Sequence, residues 1–280
     1  LILRSRDDSS VLSAPAGQWG PGLGMDVDGF EAAFVSKSGV ERRIRWQGLP
    51  AVVGEIAGPV RSFRSHRGQR NFPGWYWSAT TGGRVGFESW VERDHLVALD
   101  FDPEVVDVVS QPFWLVWRQD GGKQRRHAPD FLVHRTGARW LVLDSRPREL
   151  IGDRDRAAFA VMAHACAMVG WGYAVWDRLD PLLAANHRWL GGYRHPRCFD
   201  GAVARELLET FTRPRPLMDG AEMVGDPLRT LPVLYHLLWR QWLVADLSVV
   251  LSHRSVVCVS PKLSDLSDMA QGPLHREEHQ

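Results

Sequence analysis

The chain has 280 residues, 44% of them hydrophobic and 24% charged, with a formal net charge of +1. That length can bury a full core and accommodates two domains, and the composition is that of an ordinary soluble protein, with no low-complexity tract. Cys166, Cys198 and Cys258 form no C-x-x-C pair, no secretory leader pattern opens the sequence, and the most apolar stretch (231–251) is interrupted by His236, Arg240 and Asp246. The expectation is therefore a cytoplasmic protein with no disulfide framework, zinc knuckle or membrane span.

Residues 1–30 are rich in Ser, Gly and Pro, and a flexible lead-in is expected over 1–40. The stretch 32–55 alternates loosely enough for one or two strands. Local charge says more than net charge. Between residues 41 and 70 Arg42, Arg43, Arg45, Arg61, Arg64, Arg67 and Arg70 stand against Glu41 and Glu55, an excess of +5 that suits a polyanion or is simply solvated. In 61–83 the arginines interleave with Phe63, Phe72, Trp75, Tyr76 and Trp77. The reading is a loop that grips a phosphate backbone and stacks on bases, or else an aromatic plug on the core.

"VGFESWVERDHLVALDFDP" (85–103) predicts a helix whose apolar face carries Phe87, Trp90, Val91, Val97, Ala98 and Phe101, with Pro103 helping to stop it. Glu88 falls at the edge of that face, either reaching toward a neighbouring sheet or making ordinary surface contacts. A strand broken near Pro112 follows (105–119). Then come two strands in "DFLVHR" and "ARWLVLDSR", a helix (154–170) ended by Gly170, a strand (171–176) and a short helix (180–195). This order predicts an α/β core over 41–198. Residues 199–260 hold two amphipathic helices and a hairpin, a winged-helix-like arrangement that binds DNA or protein, and 261–280 form a polar tail.

Two acids interrupt the apolar strands of "RRHAPDFLVHRTGARWLVLDSRP" (125–147). A hairpin centred on Gly137 sets Asp130 opposite Asp144, and Arg146, two residues on, shares their face. A slip of one residue would separate them. Two like charges taken out of water call for a cation, and Mg²⁺ is suited to oxygen ligands and phosphate substrates. The other reading is a pair of strand-end acids bonded to loop amides or arginines. His127 stands beside the pair, either as proton carrier or as a structural residue. The sequence holds no H-E-x-x-H, no G-x-S-x-G and no dinucleotide fingerprint.

"PD" at 129–130 followed by "DSR" at 144–146 resembles the PD-(D/E)xK nuclease signature, with arginine in the lysine position. In the company of "RGQRNFPGWYWSATTG", "GFESWVERDHLVALDFDP", "SQPFWL", "RRHAPDF" and "YRHPRC", in that order, it resembles the TnsA-like heteromeric transposase endonucleases of the actinobacterial type. The likeness covers about residues 40–200, and the region beyond is also similar. It implies a restriction-endonuclease-like core, a mixed sheet flanked by helices, followed by a winged-helix-like domain.

The resemblance further implies an endonuclease that uses Mg²⁺, or Mn²⁺ in its place, to cut double-stranded DNA at transposon ends beside an integrase-like transposase subunit. Glu88 matches the acid of the first core helix, Asp130 the central metal ligand, Asp144 the acid two before the lysine, and Arg146 the lysine itself. Glu88, Asp130 and Asp144 would hold metal, and Arg61, Arg64, Arg67 and Arg70 would track the backbone. Arg146 cannot serve as a base, because guanidinium stays protonated, but it can stabilise charge on a phosphate. A non-catalytic DNA-binding or assembly module and a stand-alone restriction or defence nuclease are the alternatives. A neighbouring integrase-type gene would separate the last from a transposon subunit.

Overall fold

The computed structural model describes residues 11–12, 29–63, 72–119 and 122–263. The chain is mixed α/β and divides into two compact units, 1–184 and 185–280, so the division falls ahead of the 198/199 boundary expected from sequence.

The first unit contains, in order, β1 (Val11–Leu12), β2 (Glu31–Val35), β3 (Glu41–Arg45), β4 (Gly74–Trp77), β5 (Arg84–Phe87), α1 (Trp90–Phe101), β6 (Val105–Ser110), β7 (Trp114–Arg118), β8 (Gln124–His127), β9 (Phe131–Arg135), β10 (Arg139–Ser145), α2 (Asp153–Met168) and β11 (Gly172–Trp176). Helix α3 (Pro181–Gly191) carries the chain into the second unit. A five-stranded sheet has the order β1-β11-β10-β9-β6, parallel only between β10 and β11, which α2 connects. An antiparallel sheet has the order β3-β2-β7-β8, and β4 and β5 form a separate hairpin.

The lead-in ends earlier than residue 40. Phe30, Ala32 and Phe34 are buried in the core, and β2 pairs with both β3 and β7. Trp46–Glu55, expected to continue as strand, instead winds as a 3-10 helix around Pro50, whose ring leaves no N–H for a ladder. Pro112 does break the following strand, and it sends the two halves to different sheets: β6 joins β9, and β7 joins β2 and β8. The core between these layers gathers Trp46, Leu49, Phe113, Leu115, Leu132, Val142, Phe159 and Met162. Trp46 satisfies its indole N–H on the Ala165 carbonyl of α2.

The helix expected over 85–103 is shorter. Residues 84–87 belong to β5, and α1 starts at Trp90 because Ser89 caps it, its hydroxyl accepting the Glu92 N–H at 3.2 Å. Glu88 therefore lies in the strand-to-helix turn and not on the helix. The β9–β10 hairpin pairs Arg135 with Arg139 and Phe131 with Leu143 around a turn in which Gly137 has φ 74°. The ladder ends at Phe131 and Leu143, the residues next to Asp130 and Asp144, in the register that the hairpin reading used.

The second unit contains α4 (Gly201–Thr210), β12 (Arg215–Pro216), α5 (Leu217–Val224), α6 (Pro227–Trp239), β13 (Leu243–Ala245) and β14 (Val256–Val259). The helices pack on one another, and the strands form a small antiparallel sheet in the order β12-β14-β13. Sequence reading found α4, α6 and the β13–β14 hairpin but passed over α5. Its Gly220 fits against Phe211 only without a Cβ, which would meet that ring at 2.2 Å.

Candidate active site

A cleft of about 330 Å³ in the first unit is lined by Arg61, Glu88, Glu92, Trp114, Arg126, His127, Asp130, Asp144, Ser145, Arg146 and Asp155, among others. It gathers residues from seven places in the chain, among them Arg61 ahead of β4 and Asp155 on α2. Glu88 comes from the turn before α1, Glu92 from the first turn of α1, and Trp114 from β7. Arg126 and His127 end β8, Asp130 precedes β9, and Asp144 to Arg146 close β10. Of the expected site residues, the fold brings Glu88, Asp130, Asp144, Arg146 and Arg61 together. Arg64, Arg67 and Arg70 lie outside the described residues.

Asp144 is buried at 3% exposure. Its two oxygens each lie 3.0 Å from His127 Nε2, and Oδ2 accepts the Tyr173 hydroxyl at 2.6 Å. Burial and then the Asp144 charge push the Tyr173 phenol well above its ordinary value of 10, so it stays a donor. At His127 burial pulls the imidazole down, but the Asp144 carboxylate outweighs it and leaves the pKa above 6.5. Asp130 accepts the Ser145 N–H on Oδ2 at 2.7 Å. Burial, then the neighbouring Glu92 and Asp144 charges, hold its carboxyl well above the ordinary carboxylate value of 3.8.

Glu92 is the carboxylate that the sequence reading missed. It is buried at 8% exposure, with Oε2 accepting the Glu88 N–H at 2.7 Å and Oε1 the Ser89 hydroxyl at 2.8 Å. Burial raises its pKa against those two bonds, and the Glu88 charge raises it further. The signal was present as S-x-x-E at 89–92, a helix-start pattern that fixes where α1 begins. Glu88 itself, expected on the helix as a metal ligand, pairs with Arg61 at 2.7 Å at the cleft wall. Arg146 is 45% exposed and bonds Asp155 on α2 at 3.2 Å.

A second layer braces the end of β10. Ser145 Oγ lies 2.8 Å from His95 Nδ1, and His95 Nε2 lies 2.8 Å from the Asp177 carbonyl. Burial pushes the His95 pKa down to about 4, so the ring is neutral at pH 7. A carbonyl can only accept, which places the proton on Nε2 and makes Nδ1 the acceptor of the Ser145 hydroxyl. Helix α1 therefore ties down the residue whose N–H holds Asp130.

The cleft's carboxylates outnumber their local counter-charges. Among the described residues, no group of three or more His, Cys, Asp or Glu side chains is arranged to hold a metal ion. The donor chemistry does suit one. Burial, and then the like charges of Glu92 and Asp144, hold the Asp130 pKa up; a hard divalent cation relieves that repulsion, and oxygen is the ligand such cations prefer. Compared with known proteins, the chain matches no family model and no curated sequence. No helix among the described residues is long and apolar enough to cross a membrane.

Proposed function

We propose that the chain is a metal-dependent DNA endonuclease that hydrolyses a phosphodiester in this cleft. The observation that carries the reading is Asp130, set between Glu92 and Asp144 on a cleft rimmed by Arg61, Arg126 and Arg146. Asp130 and Asp144 would hold Mg²⁺ or Mn²⁺, with Glu92 as the third carboxylate and Glu88 beside it. The chemistry such a cation would supply there is a water acidic enough to attack at neutral pH and neutralisation of charge on the phosphate. His127 and Tyr173 orient Asp144 by bonding its oxygens. Ser145, braced by His95, orients Asp130 in the same way. Arg146 lies where its guanidinium can meet a phosphate oxygen on release from Asp155.

The mixed sheet with α2 between parallel β10 and β11 is compatible with a restriction-endonuclease-like core, and the α4–β14 unit with a winged-helix-like module. With the quoted motifs, these support the narrower reading of a TnsA-like subunit that cuts transposon ends beside an integrase-like transposase. The test is Mg²⁺-dependent nicking of transposon-end DNA, with the partner present, by the wild type and Asp130→Ala. The expected result is cleavage by the wild type alone. Equal activity in both would remove Asp130 from the chemistry.

One observation favours a second reading, a DNA-binding or assembly module without catalysis. Asp144 already has His127 and Tyr173 as partners, so its charge is compensated without a metal. No cleavage by the wild type, with DNA binding retained, would select this reading.

A further inference from the structure

The hairpin β4–β5 and the start of α1 carry large aromatic rings that the core does not use. Phe72, Trp75 and Trp90 are 59%, 57% and 51% exposed, far more than a core plug would leave in water. The rings are organised. Phe63 stands edge-on to Trp75 with centroids 5.3 Å apart, and Phe72 lies 6.2 Å from Trp90. Phe63 rests on the strand where Gly86 has no side chain, since a Cβ there would strike its ring at 2.1 Å. The guanidinium of Arg93 lies over Trp90 at 4.3 Å.

This surface is joined to the cleft along the chain. Arg61 and Glu88, which are ion-paired and line the cleft, are two residues from Phe63 and Trp90 respectively. On β7 and β8 the same pairing recurs inside the cleft, where Arg126 lies over Trp114 at 4.3 Å. Arginine stacked on exposed indole beside a phosphate-handling site is the chemistry that receives unpaired bases. Every base has a π-face, and the cation meets the backbone charge.

We propose that Phe72, Trp75 and Trp90, with Arg93, form a stacking platform for unpaired bases of the strand that enters the cleft, so that the substrate is DNA opened next to the scissile phosphate. The proposal rests on the nuclease reading for the purpose of the platform, but its test is separate. Binding of fluorescein-labelled oligothymidylate, and of a duplex of equal length, is measured in EDTA for the full chain, so that no cleavage intervenes. The double variant Trp75→Ala/Trp90→Ala is expected to weaken single-strand binding at least about tenfold and duplex binding less than about twofold. The variant Trp75→Phe/Trp90→Phe is expected to restore most of the single-strand affinity, which a loss of folding would not allow.

Single-strand binding that is absent in the wild type, or unchanged in the double alanine variant, overturns the platform; in the second case the patch faces a protein. Equal losses on single strand and duplex overturn it too. Asp130→Asn separates the two ideas. If single-strand binding follows the tryptophans while no protein form cleaves DNA, the nuclease reading fails and the platform stands. If cleavage depends on Asp130 but binding ignores the tryptophans, the platform alone fails.

Discussion

Two acids in the first unit are handled in opposite ways. Asp100, at 7% exposure on α1, is wrapped by donors: the Tyr76 hydroxyl at 2.8 Å, the Ser78 hydroxyl at 2.7 Å, and the N–H groups of Ala79 and Thr80 at 3.0 and 2.8 Å. It staples the turn after β4 to the helix. Asp130 has the Ser145 N–H and then faces two other carboxylates. A carboxylate that meets only donors serves the fold, and one that meets its own kind is kept for something the fold does not supply.

Exchanging the two roles gives the largest effects. Asp100→Ala leaves two main-chain N–H groups and two hydroxyls without their acceptor, at about 1–3 kcal/mol for each group that stays buried and unpaired. Chemical denaturation should show a loss of at least about 3 kcal/mol, with nicking per folded molecule unchanged. Asp130→Asn should do the reverse. Removing one of three like charges leaves stability equal or higher, while nicking falls more than about 100-fold, beyond the 10–100-fold of an outer-shell change. Loss of nicking in folded Asp100→Ala would break the comparison.

The same contrast sharpens at the start of α1. Glu92→Gln should lower nicking nearly as far as Asp130→Asn, since its amide keeps an oxygen for the cap but loses the charge that faces Asp130. Glu88→Gln should cost less than about tenfold, because it removes an ion pair at the cleft wall. The opposite ranking would return Glu88 to the role that the sequence reading gave it.

What the sequence carried and what it did not follow from locality. The β9–β10 register beside Asp130 and Asp144 was legible because one glycine-centred turn and the two-residue period of a strand fix it within about fifteen residues. Helix α1 was read too long because Phe87, Trp90 and Val91 fit a helical spacing across a boundary. Phe87 in fact closes a strand, its ring lying where Gly74 lacks a Cβ. Ser89 and Glu92 mark that boundary, and giving the cap priority over the periodicity would have moved the acid from Glu88 to Glu92. The brace from His95 to Ser145 spans 50 residues and involves a histidine in no motif, so only the tertiary fold exposes it.

That brace makes a smaller, pH-dependent prediction. His95 has a pKa of about 4 when folded and an ordinary 6.5 when unfolded. Its lowered folded value means the stabilisation is intact above pH 6.5 and is lost as pH falls toward 4, when the unfolded chain gains the proton first. The full loss is roughly 3 kcal/mol, from a difference near 2.5 units. Asp130 and Glu92 oppose it, because acids whose folded pKa is raised stabilise the fold as they protonate. Comparing wild type with His95→Gln over pH 4–8 by thermal unfolding cancels that background. The wild type should lose more stability than the variant as pH falls from 6.5 to 4, and identical changes in both would remove His95 as the buried neutral group.

The smallest expected effect is that of Arg146→Lys, at the position where the cleft departs from the motif it resembles. A lysine there could give up its proton in the cleft, whereas the guanidinium cannot, and it spends its charge on Asp155. If arginine acts only as a cation near the phosphate, Arg146→Lys keeps the charge and adds a titratable amine, so nicking should hold or rise by less than about tenfold. Arg146→Ala should lose about tenfold through the missing charge. A complete loss in Arg146→Lys with stability unchanged would mean that the planar fork itself is required, one edge on Asp155 and the other on the substrate. The Arg146–Asp155 pair would then belong with Asp130, among the groups held for the reaction, and not with Asp100.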